Sequence, residues 1–192
     1  MNKLKSYIDY SKHYLRMIFI YIFISLLITI FLNEKLLILT NTASLLLIIL
    51  SVTFAFLLYY FLRKRINTEI SITKVEFGNY DYKFLSVKIF EILLQQFLVI
   101  LLLTLGKQFL GENYILVVVL VFVLLHFQLL LFHTLRFTLY YILFSIPAIL
   151  IFSYIYLNLG SLSLGLAFLL HLSFYLVLGL LDLNGRISKF IE

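Results

Sequence analysis

The sequence predicts an all-α polytopic membrane protein, a bundle of about six transmembrane helices with both termini cytoplasmic. Three observations carry that expectation. Hydrophobic residues make up 64% of the chain and charged ones only 12%. Apolar runs near the length that crosses a bilayer recur from one end to the other. Lysine and arginine fall in a pattern that sorts to one side of a membrane.

The apolar runs lie at roughly 14 to 32, 36 to 62, 84 to 105, 114 to 132, 137 to 157 and 162 to 181, with ends uncertain by about two to four residues. The first follows Lys3, Lys5, Lys12 and Arg16, but it is long and no small-x-small cleavage site comes after it, so it reads as a retained helix rather than a signal peptide. With the amino terminus in the cytoplasm, thirteen of the fifteen basic residues lie on that side and only Lys35 and Lys107 lie outside. The stretch from Arg63 to Lys83 is the longest polar interruption and is too short to fold alone, which leaves residues 1–192 as one transmembrane domain. Extended to Lys88, this segment carries six basic residues beside Glu69, Glu76 and Asp81. Two readings fit it: a segment lying along cytoplasmic headgroups, or a solvated loop rich in positive charge. Pro147, the only proline, falls inside the fifth run, where it should kink the helix and free a carbonyl. Small residues cluster from Gly160 to Gly165 at the outer end of the sixth, where they let backbones approach closely.

Composition also excludes several chemistries. The chain has no cysteine, so disulfides, thiolate zinc sites and thiol nucleophiles are ruled out. Its net charge of +6 is distributed as membrane anchors rather than interleaved with base-stacking aromatics, which points to lipid and not to nucleic acid. No internal repeat, low-complexity tract or phosphate-binding glycine loop is present.

Glu91 is the only carboxylate within an apolar run, and His126, His133 and His171 sit in or at the edge of others. Ionisable groups in lipid are costly and by default mark an interior site. A helix rises about 1.5 Å per residue, which places Glu91 roughly 10 Å, His126 about 9 Å and His171 roughly 15 Å from the cytoplasmic side. At such depths the three can converge to activate a water and stabilise an oxyanion, the minimum needed for peptide hydrolysis. Each also has a plainer reading: Gln95 and Gln96 can satisfy Glu91, and a histidine can simply bond a facing helix. His133, near Arg136 at a cytoplasmic turn, reads as interfacial, and His13 in the amino-terminal tail is left out of the site.

From Val117 to Leu180 the chain reads VVVLVFVLLHFQLLLF and then FSIPAILIFSYIYLNLGSLSLGLAFLLHLSFYLVLGL. These stretches resemble the second and third motif regions of the CPBP family, the CAAX-protease and bacteriocin-processing membrane proteins. Phe122 and His126 match its FxxxH motif; Gly160, Ser161, Leu162 and His171 match a GSL turn followed by a helix with a central histidine. Phe90-Glu91-Ile92-Leu93-Leu94-Gln95-Gln96-Phe97 falls where the family carries EExxxR. The family-like core covers 84–181, and short apolar motifs match by chance readily, so order, spacing and topology carry most of its weight.

The departures bear on activity. With Glu91 as the first, water-activating glutamate, Ile92 replaces the second and Gln96 the arginine. With Glu91 as the second, Phe90 replaces the first and Gln95 the arginine; the first register is preferred. Either way the glutamate–arginine partnership is broken, which weakens the carboxylate as a base. Tyr175 stands where the HxxxN motif places its asparagine, and its hydroxyl still offers a donor. The resemblance therefore implies a multi-pass protein of a bacterial plasma membrane with one of two functions. One is an intramembrane endopeptidase using Glu91 and His126 on water, with His171 and Tyr175 at the oxyanion. The other is a catalytically silent member, such as a bacteriocin immunity or scaffold protein, that binds a peptide or membrane-protein partner. A proton-coupled transporter is a weaker third reading, because six spans show no inverted repeat. One glutamate and two histidines are compatible with zinc, but no HExxH pattern accompanies them and metal-free glutamate chemistry fits equally well. Oligomeric state stays open, since lipid-facing and helix-packing surfaces look alike in this sequence.

Overall fold

A computed structural model describes residues 10–32, 42–66, 82–131 and 134–181. It contains six α-helices: α1 (Tyr10–Leu32), α2 (Thr42–Ile66), α3 (Tyr82–Phe109), α4 (Tyr114–Phe127), α5 (Leu135–Asn158) and α6 (Ser163–Leu181). All the described residues that form regular structure are helical. That is what an apolar medium demands, because a helix satisfies its own backbone donors and acceptors.

Five of the six are long and apolar enough to cross a membrane. The exception falls in the fourth apolar run, expected as one continuous span over 114 to 132. There α4 has 14 residues, about 21 Å, and is flanked by 3₁₀ turns at Gly111–Asn113 and Gln128–Leu131. Hydropathy counts residues and is blind to pitch, so the sequence could not register this change. The polar segment is also narrower than expected: α2 runs on to Ile66 and α3 begins at Tyr82, while 67–81 lie outside the described residues.

The bundle is organised around α3, which packs against each of the other five helices. Half of its span is buried, against 17% for α1 and for α2. Two apolar cores follow one another along it. Leu85, Ile89 and Ile92, at helical spacing, pack with Ala55 of α2 and with Phe168 and Leu172 of α6. Leu94, Phe97, Ile100 and Leu103 face α1, α4 and α5 through Ile28, Phe122 and Phe152. The outer helices present large apolar side chains such as Phe19, Phe31, Phe54 and Phe61, the surface expected toward acyl chains.

Local chemistry fixes the ends of the helices around the site. At the start of α5, Thr134 accepts a hydrogen bond from the Phe137 amide at 3.2 Å and so caps the helix. At its far end Gly160 adopts φ +53°, a left-handed conformation that glycine takes without penalty, and a three-residue turn leads into α6. The small-residue cluster behaves as expected from sequence. Ser44 of α2 is fully buried, donates to the Ser161 carbonyl (2.7 Å) and accepts from the Gly165 amide (3.2 Å). A Cβ on Gly165 would come within 2.8 Å of the Ser44 carbonyl oxygen and 3.0 Å of its Cα.

Because those obstructing atoms are backbone, Gly165→Ala is expected to push α2 from α6 and destabilise the bundle by about 1–3 kcal/mol. Unfolding titration in mixed micelles checks this; unchanged stability would show the contact to be slack.

Candidate functional site

On α3, Lys88, Glu91 and Gln95 recur at i, i+3 and i+7 and form one stripe, with Gln96 beside it. The Glu91 carboxylate takes the Lys88 ammonium at 3.0 Å through one oxygen and 3.2 Å through the other. Gln95 Nε2 donates to the same carboxylate at 3.2 Å. The Lys88 side chain is 4% exposed and that of Glu91 19%. Thus the carboxylate has its cation one turn earlier on its own helix. In hydrocarbon this pairing offsets two charges that would each be costly alone.

A second polar chain crosses the bundle centre. Gln96 is fully buried; its Oε1 accepts from the Tyr156 hydroxyl of α5 at 3.0 Å, and its Nε2 lies 2.8 Å from Nδ1 of His171 on α6. The His171 ring stacks on Phe152 at 5.3 Å and on Tyr175 at 5.5 Å between centroids. Tyr175 also takes the Lys88 ammonium over its ring at 5.0 Å. It therefore connects the ion pair to the imidazole through its π-face.

Between α3, α4, α5 and α6 lies a cavity of about 300 Å³. Its polar groups come from Gln95, Gln96, His126, Tyr141, Ser145, His171 and Tyr175, set in an otherwise apolar wall that includes Phe122, Phe144, Pro147 and Phe152. Such a lining, mostly apolar with a few convergent polar groups, is the usual form of a small binding site. Four wall residues are also exposed on the outside of the bundle, Phe144 at 38%, Ile151 at 51%, Leu170 at 47% and Pro147, so along α5 and α6 the cavity wall is a single layer of side chains.

His126 reaches this cavity from the last turn of α4. Its Nδ1 lies 2.7 Å from the Phe122 carbonyl, which can only accept, so Nδ1 carries a proton. A neutral His126 then presents Nε2 as an acceptor, with the ring lying against Tyr141 at 6.5 Å.

The structure thus brings His126, His171, Gln95, Gln96, Phe122 and Tyr175 to one cavity, and Glu91 is not among its lining residues. Ile92 is fully buried in the core with Phe168 and Leu172. Phe90 is half-buried and lies off the cavity wall. His13 is exposed on α1, and His133 lies outside the described residues. Among the described residues no three His, Cys, Asp or Glu gather closely enough to hold a metal ion, so Glu91, His126 and His171 do not form a zinc donor set.

Sequence reasoning missed two participants. Lys88 was assigned to the cytoplasmic charge cluster, although its i, i+3 spacing to Glu91 was the signal that could have found it. Tyr156 carried no signal, being one of fourteen tyrosines with no motif around it.

No family model, curated protein or solved structure matches this chain.

Lys88→Met leaves the Glu91 carboxylate without its cation and is expected to cost about 3 kcal/mol. The double change Lys88→Met with Glu91→Met should recover most of that loss. Stability curves for the single and double variants check this, and equal losses in both would deny the pair its structural part.

Proposed function

We propose that this chain is a multi-pass protein of a bacterial plasma membrane, a degenerate member of the CPBP-type arrangement, that binds a peptide or membrane-buried segment of a partner without cleaving it. The observation that carries the reading is the position of Glu91. The one carboxylate available to activate water is held by Lys88 and Gln95 and does not line the cavity where a scissile bond would lie. The cavity itself keeps groups suited to an extended chain, with imidazole, amide and phenol donors and acceptors on an apolar wall.

Six crossings with cytoplasmic termini agree with the lengths. Taking α4 with its two 3₁₀ turns, and rises of about 1.5 and 2.0 Å per residue, Gly111 to Leu131 reaches about 35 Å, enough for a hydrocarbon core of about 30 Å. Thirteen of fifteen basic residues then lie inside. One observation favours a second reading, an active endopeptidase: His126 and His171 share the cavity, as a base and an oxyanion donor would. Glu91 would then have to leave Gln95 to meet the water.

For topology, reporter fusions after Glu192 and within 67–81 are expected to behave as cytoplasmic, and a fusion at 107–112 as external; reversal at either place would refute the assignment. For function, peptides selected from a displayed library on the protein in nanodiscs should stay intact by mass spectrometry. They should bind at least about tenfold more weakly to Ala148→Phe, which fills the cavity. Cleavage abolished by Glu91→Gln would establish the endopeptidase instead, and failure to select any peptide displaced by Ala148→Phe would refute peptide binding.

A further inference from the structure

The Tyr156–Gln96–His171 chain has no counterpart in the motif resemblance, and its chemistry is directional. A phenol hydroxyl has a single proton to donate, and a glutamine amide donates only through nitrogen and accepts only through oxygen. Tyr156 lies at the level where its hydroxyl meets Gln96 Oε1 at 3.0 Å, and that contact turns the amide nitrogen toward His171 Nδ1 at 2.8 Å. The opposite amide orientation would make Tyr156 the acceptor and take from its buried O–H the oxygen of Gln96. Buried donors are paired in folded proteins, which selects the first arrangement. His171 Nδ1 must then accept, and the proton of its neutral ring sits on Nε2.

We propose that Gln96 and Tyr156 are positioning residues that fix His171 as the Nε2–H tautomer, so that one imidazole donor and one imidazole acceptor line the same cavity. His126 supplies the complementary half. Its Nδ1–H is committed to the Phe122 carbonyl, which leaves Nε2 as an acceptor. Both rings are held in place, His126 against Tyr141 and His171 between Phe152 and Tyr175. A fixed donor and a fixed acceptor on one cavity match the two groups that every peptide unit offers, a carbonyl oxygen for His171 and an amide proton for His126. This recognition of backbone rather than side chains rests on the peptide-binding reading above, whereas the tautomer assignment stands on the hydrogen bonds alone.

Nitrogen NMR of the full chain, labelled with 15N-histidine and held in lipid nanodiscs, tests the assignment, with His171→Gln used to identify the resonances. The wild type should show a protonated Nε2 and an unprotonated Nδ1 at His171. In Gln96→Glu an ionised carboxylate can only accept, so at a pH that ionises it the proton should appear on Nδ1. In Tyr156→Phe the amide loses the donor that orients it, and both forms should be populated. A proton on Nδ1 in the wild type overturns the proposal, as does an unchanged His171 spectrum in Tyr156→Phe. These two spectra decide the matter even if Gln96→Glu fails to fold. Peptide binding, read separately, should fall in folded Gln96→Glu by about tenfold or more. If the tautomer is as stated and no peptide binds the wild type, the peptide-binding reading fails while the positioning of His171 stands.

Discussion

A polar side chain inside this bundle has no water to answer it, so each one carried inward on α3 must be satisfied by another part of the protein. That constraint arranges the middle of the molecule. Lys88 and Glu91 cancel one another, Gln95 ties in the carboxylate, and Gln96 is answered from two different helices by Tyr156 and His171. Because the partners of Gln96 sit on α5 and α6, these hydrogen bonds also set how those helices face α3. Apolar packing allows many rotations of one greasy helix against another; a buried amide with two directional partners allows few. Ser44, bonded to both Ser161 and Gly165, performs the same service between α2 and the start of α6.

The helices were legible because an apolar run of about twenty residues has few alternatives to a helix. The Gly160–Gly165 cluster was legible as a close-packing device because small residues act through what they lack. Glu91, His126 and His171 stood out as ionisable groups in hydrocarbon, and two of the three do share the cavity. What could not be read was direction around the helix axis. Depth along α3 places Glu91 near the histidines, but its carboxylate stops short of the cavity wall, held by Lys88 and behind Gln95. Tyr156 was hidden for the same reason, since only the facing of α5 distinguishes it from any other aromatic residue. The shortening of α4 lay beyond composition because α and 3₁₀ turns draw on the same residues.

Ile92, Gln96 and Tyr175 each hold a place in the packing. Ile92 fills a core, Gln96 stands at the centre of a three-residue hydrogen-bond chain, and Tyr175 carries a cation on a ring stacked against His171. Replacing one of them would thus disturb a working set of contacts. An arginine at 96, for instance, would bring a full charge into a site with no exposure and a glutamate already paired elsewhere. Contacts that support one another in this way favour one arrangement of the bundle over its competitors.

The short turn at Gly160 fixes one end of the cavity wall. It joins α5 to α6 through only four residues between Asn158 and Ser163, so the two helices are tethered there like the arms of a pair of compasses. Farther along, the arms are clasped again, by the Phe144 and Phe174 rings at 5.5 Å and by Phe137 and Tyr141 packed with Leu178. A wall held at both ends yields most readily between them, near Ile151 and Leu170, so an occupant arriving from the side would part the arms at mid-length and not at their tips.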